Sequence, residues 1–71
     1  MTTIEKQIYD NLAGSFQNQT AFDALVTLYA EARGASHHVY NKIDWVQLHK
    51  RIEEVHGSAG LERVRREAFN K

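Results

Sequence analysis

Ile43-Asp44-Trp45-Val46-Gln47-Leu48 opens the stretch that decides the fold, and its apolar seam continues through Ile52 and Val55 to His56-Gly57. Asp44 and Gln47 have the spacing of a capping box, in which the N-cap side chain accepts from an orphan N–H and the N3 side chain reaches back. Ile43 and Leu48 stand at the two positions of a hydrophobic staple. The pattern predicts a helix that starts at Trp45 and is closed by Gly57. An earlier start at Ser36, giving one long helix through Tyr40, is the alternative.

Downstream, a helix is predicted after Ser58 to about Asn70, with Leu61, Val64 and Ala68 on one face and Phe69 nearby. Glu62 and Arg66 are an i, i+4 pair in the favourable order. Upstream, Thr20 reads as an N-cap for a helix whose broad apolar face is Phe22, Leu25, Val26, Leu28, Tyr29 and Ala32. Arg33 suits that helix's C-terminus, and Gly34 follows where a terminating glycine belongs. The first helix is expected from about Thr3 to Phe16, with Thr2 and Glu5 as another capping box. Ile4, Ile8, Leu12 and Phe16 recur every four residues along one side. Gly14 weakens its last turn, and the residues from Ser15 to Gln19 make a polar connection.

No proline interrupts these segments, and no stretch alternates with the period of a strand. The expected fold is all-α, a small bundle of three to four short helices in one domain over residues 1–71. Short connections favour antiparallel neighbours. A chain of 71 residues buries only roughly 60% of the surface its unfolded form exposes. Without cysteine, disulfides and thiolate metal sites are excluded. Homodimerisation is the remaining ordinary route to stability and is expected here.

Charge limits the partners. Nine Lys/Arg balance nine Asp/Glu, whereas a dedicated nucleic-acid binder is strongly basic. No apolar run approaches the ~18 residues of a membrane-spanning helix. The opening Met1-Thr2-Thr3-Ile4-Glu5 lacks the basic and apolar blocks of a signal peptide, so a cytoplasmic address is expected.

Candidate chemistry is sparse. His49, Glu53 and His56 fall at i, i+4 and i+7 on one helix, and imidazole and carboxylate are good zinc ligands. The spacing is not HExxH and is common on polar helix faces, so a solvated face is favoured, with no metal and no cofactor. His37-His38 read as polar surface. There is no cysteine nucleophile, GxSxG elbow or GxxxxGK loop, and Thr2, Thr20, Ser36 and Ser58 sit where caps are wanted. An enzyme is not expected.

Arg63, Arg65, Arg66 and Lys71 make the last helix basic, while residues 1–35 carry four acids (Glu5, Asp10, Asp23, Glu31) against two bases (Lys6, Arg33). The turn Gly57-Ser58-Ala59-Gly60 between two helices suggests a helix-turn-helix, with Arg63, Arg65 and Arg66 as the nucleic-acid contacts. Glu62 and Glu67 interleave with those arginines and weigh against it.

Trp45 is the most informative residue. Tryptophan and tyrosine are enriched at interface hot spots because they bring large rigid area with a polar handle. Trp45 stands at the first helical position, at the edge of the seam, and Tyr40 lies outside any clear seam. With Val46 and His49 they form the expected partner-binding set.

A chain of this length, without cysteine, with Tyr40 and Trp45 opening a helix, resembles the small phage-encoded quorum-sensing antiactivator proteins of Pseudomonas phages. The resemblance covers overall architecture plus those two residues. It implies a helical, dimeric protein that binds a LuxR-type quorum-sensing transcription regulator and can block a pilus assembly ATPase, with Tyr40 and Trp45 at the partner. Small anti-defence inhibitors of phages share the same size and composition. The favoured function is a non-enzymatic inhibitor or adaptor that binds a host protein. The alternative is a small helix-turn-helix DNA-binding regulator.

Overall fold

The computed structural model describes residues 2–70; Met1, and Lys71 from the basic set above, lie outside the described residues. Four helices follow in order: α1 (Thr3–Leu12), α2 (Gln19–Arg33), α3 (His37–Tyr40) and α4 (Trp45–Phe69). Among the described residues there is no strand. The molecule measures 32 × 23 × 19 Å. Helix α2 lies at its centre and touches α1, α3 and α4.

The caps explain where the helices start. At α1 both halves of the Thr2–Glu5 capping box are present. At α4 only half of the expected Asp44–Gln47 box forms: Asp44 Oδ1 accepts from the Gln47 N–H at 3.1 Å. The Asp44 N–H goes instead to Glu5 Oε2 at 3.3 Å. Glu5 is 3% exposed, and its carboxylate serves two helix N-termini, so α1 and α4 are joined at their origins. Such a bond to a buried charged acceptor is among the stronger ones, at about 1.5–3 kcal/mol.

Several boundaries differ from expectation. Helix α1 ends at Leu12, not Phe16, and the chain turns through 13–16 to leave Phe16 67% exposed. The N-cap of α2 is Asn18, whose side chain accepts from the Ala21 N–H at 2.8 Å. Thr20 lies inside the first turn, because Asn18, at least as good an N-cap as threonine, takes that role two residues earlier. Ser36 begins only the single turn α3, and the chain bends through 41–44 before Trp45, so the late start holds.

Gly57 is where α4 breaks. Its φ of 77° and ψ of 175° interrupt the helical backbone between segments 45–56 and 58–69. A β-carbon strains such a conformation, so glycine is demanded there. Helix resumes at once, which makes the joint tighter than the four-residue turn expected. Gly60 completes it, because a β-carbon there would collide with His56 Cβ.

Both segments of α4 can therefore close on α2. Ile8, Leu12, Phe22, Leu25, Val26, Tyr29, Ala32, Ile43, Leu48, Ile52 and Val64 form one core. Each fully buried aliphatic side chain among them contributes about 1.5–3 kcal/mol over an exposed one. The broad face of α2 is thus largely covered within the chain. On segment 58–69, Arg63 pairs with Glu67; the expected Glu62–Arg66 pair does not form.

Candidate functional site

Five side chains from three elements meet on one side of the molecule. Trp45, at the start of α4, is half-buried. Its ring lies 4.9 Å from Tyr40 at the end of α3 and 5.8 Å from each of Tyr29 and His49. Its indole N–H donates to the Tyr40 carbonyl at 3.2 Å, so the end of α3 and the start of α4 are locked together. Arg33, at the end of α2, extends over the group, 5.4 Å from the Trp45 ring and 6.0 Å from Tyr40. Cation–π attraction of this kind is worth about 0.5–1 kcal/mol at an exposed site.

The structure brings Tyr40, Trp45 and His49 together. Val46 lies next to them in sequence and is 81% exposed. Tyr40, outside any apolar seam in the sequence, is half-buried against the indole. His49 is half-buried as well, and its Nε2 stands 2.6 Å from the Tyr29 hydroxyl. Burial, then the fields of Arg65 and Arg33, hold the His49 imidazole below the usual histidine range. Burial pushes the Tyr29 phenol up, so the pair consists of two neutral groups.

Beside this cluster runs a cleft of about 550 Å³ lined by Tyr29, Arg33, Glu62, Arg65, Arg66, Ala68 and Phe69. Three guanidiniums face one carboxylate there. The arginine trio read from the sequence is split. Arg65 and Arg66 line the cleft, whereas Arg63 lies over the Phe22 ring at 4.4 Å, pairs with Glu67 and donates to Gln19.

Sequence reasoning missed Tyr29 and Arg33 as site residues. Tyr29 was assigned to the apolar face of its helix and Arg33 to its C-terminus. Their i, i+4 spacing, which puts them on one side, was the available signal.

A second histidine–hydroxyl pair lies beside the break in α4. Ser15, 1% exposed, donates its hydroxyl proton to the Leu12 carbonyl at 2.9 Å. Its Oγ also stands 2.7 Å from His56 Nε2. With the serine proton committed, the imidazole N–H is the donor, which is the reverse of what a general base needs to activate a nucleophile. His56 is also edge-on to Phe22 at 5.3 Å, and burial lowers its pKa. His49 and His56 thus turn to different neighbours while Glu53 is exposed. Among the described residues no three potential ligands gather around a common point.

No known protein family, curated protein or solved structure matches this chain.

Proposed function

We propose that this protein is an inhibitor or adaptor that acts by binding another protein, without catalysis of its own. The observation that carries the reading is the half-exposed patch of Trp45, Tyr40 and His49 with Arg33 laid over it. Tryptophan, tyrosine and arginine are the residue types that dominate interface energetics. Here hydrogen bonds and ring contacts hold them before a partner arrives, which reduces the ordering cost of association. Val46, next to Trp45 in sequence and 81% exposed, offers further apolar area.

The resemblance noted above makes a LuxR-type transcription regulator the first partner to test, with a pilus assembly ATPase the second. Purified regulator should bind the immobilised wild-type chain and lose at least about tenfold in affinity to Val46→Asp, whose side chain is too exposed to unfold the protein. Wild-type binding to neither protein removes that choice of partner. Equal capture of host proteins by wild type and Val46→Asp removes this face from the interface.

Homodimerisation is part of the same reading. It is supported by the small core and by Phe16, which no helix covers. Light scattering at micromolar concentration should return about twice the 8.2 kDa chain mass. A monomer at that concentration rules it out. The helix-turn-helix regulator is the weaker reading, because Arg63 is closed off by Glu67 and Gln19 and cannot join a continuous basic stripe.

A further inference from the structure

The aromatic patch alone does not explain the charge of the neighbouring cleft. Arg33 enters it from the end of α2, and Arg65 and Arg66 enter from segment 58–69. Among the described residues the ion pairs are Arg51 with Glu54 and Arg63 with Glu67. The three cleft arginines therefore face one another's charge with only Glu62 in the same lining. All three are exposed and none belongs to the core; of the three, Arg33 also lies over the Trp45 and Tyr40 rings. Ala68 and Phe69 form the apolar wall, and Phe69 is 91% exposed.

We propose that this cleft takes an acidic segment of the partner protein, with a Glu or Asp carboxylate held by Arg33 and Arg65 and an adjacent apolar side chain against Phe69. The inference rests on the protein-binding reading above and specifies the chemistry of its partner. Guanidinium forks match carboxylates with paired, charge-assisted hydrogen bonds. The cleft volume of about 550 Å³ suits one or two side chains. Glu62 and the apolar wall disfavour a nucleic-acid backbone, which presents a charge at every step and calls for a continuous basic track. Arg33 bridges the two surfaces, since the same guanidinium lies over Trp45 and lines the cleft. A bound segment would therefore run from the cleft onto the aromatic patch.

Trp45 is the only tryptophan in the chain, and its contact with Arg33 makes its fluorescence a reporter of the cleft. The probes are blocked pentapeptides alternating Glu with Leu or Phe, and the same peptides with Gln for Glu, titrated at physiological salt. The Glu peptides should bind at least about tenfold more tightly than their Gln counterparts. Arg33→Gln and Arg65→Gln should each remove about tenfold of that affinity, and Arg63→Gln, at the closed end, should leave it unchanged.

Failure of the Glu peptides to bind, equal binding of Gln peptides, or indifference to Arg33→Gln and Arg65→Gln overturns the inference. Tighter binding of a duplex oligonucleotide, or of inorganic phosphate, overturns it as well. Two variants separate it from the broader reading. A partner captured by Arg65→Gln but lost by Val46→Asp leaves the protein-binding reading standing and the acidic segment refuted. The reverse pattern keeps the acidic segment and moves the interface off Val46.

Discussion

Near the break in α4, Arg63 lies over the Phe22 ring, pairs with Glu67 and donates to Gln19, and His56 is bonded to buried Ser15. Near the start of α4, Arg33 lies over Trp45 and Tyr40 with no carboxylate partner among the described residues, and His49 is bonded to Tyr29. Each region joins an arginine to an aromatic ring and a histidine to a hydroxyl. They differ in what is left over. At Phe22 the Arg63 guanidinium is matched by Glu67 and Gln19, whereas Arg33 at Trp45, with Arg65 and Arg66 in the neighbouring cleft, has no ion pair among the described residues. The same residue types thus build a closed corner that holds the fold and an open one suited to holding something else. Composition alone does not distinguish them; the presence of Glu67 and Gln19 does.

The largest expected contrast is in stability. Phe22→Ala should cost about 3–5 kcal/mol, as for a buried aromatic, and leave the chain mostly unfolded. Trp45→Ala, whose ring is half at the surface, should cost about 2 kcal/mol and keep a helical circular dichroism spectrum. Urea titration of both variants compares them directly. Equal losses would mean that Trp45 belongs to the fold as fully as Phe22 does, and the contrast between the corners would break.

A smaller effect is expected at the serine. Ser15→Ala leaves the His56 N–H without its acceptor in a half-buried position and should cost about 1 kcal/mol. The aromatic corner should be unaffected, with Trp45 fluorescence unchanged in the folded variant. A shifted Trp45 spectrum would show that the two corners communicate through α4.

The smallest contrast is in pH dependence, which both corners should share. Burial first holds His49 and His56 below the usual histidine range. Between the free-histidine value of about 6.5 and those lowered values, the unfolded chain binds protons that the folded chain refuses. Stability is therefore complete above about pH 6.5 and falls as the pH drops below it. The urea midpoint should decrease from pH 7.5 to pH 5, and His49→Gln and His56→Gln should each flatten that decrease. A midpoint that rises toward acid contradicts both placements.

Much of the fold could be read from residues a few positions apart. Thr2 with Glu5, Ile43 with Leu48, Asp44 as a cap and Gly57 as a terminator are local signals, and the structure uses each of them. The misreadings came where two local solutions compete. Asn18 and Thr20 can both cap, and Glu62–Arg66 and Arg63–Glu67 are both i, i+4 pairs; tertiary neighbours chose between them. Gln19 draws Arg63 toward the closed corner. The bond from Asp44 to Glu5, the Ser15–His56 contact and the meeting of Arg33 with Arg65 are long-range, so no spacing rule announces them. Of the candidate site, Trp45, Tyr40 and His49 were legible because aromatic residues stood at a helix start. The cleft was not legible, since Arg33 stands far in sequence from Arg65 and Arg66.

Gly57 has a consequence for the chemistry of the chain as well as its shape. Its dihedral angles, φ 77° and ψ 175°, when reflected fall in ordinary extended backbone. The joint between the two segments of α4 is therefore a single site of inverted handedness in a chain whose other non-glycine residues all keep negative φ among those described. Any L-residue there works against the backbone, while a D-residue has the angles it prefers. The bend that lets one helix cover both ends of α2 depends on an achiral residue at the one point where chirality would forbid it.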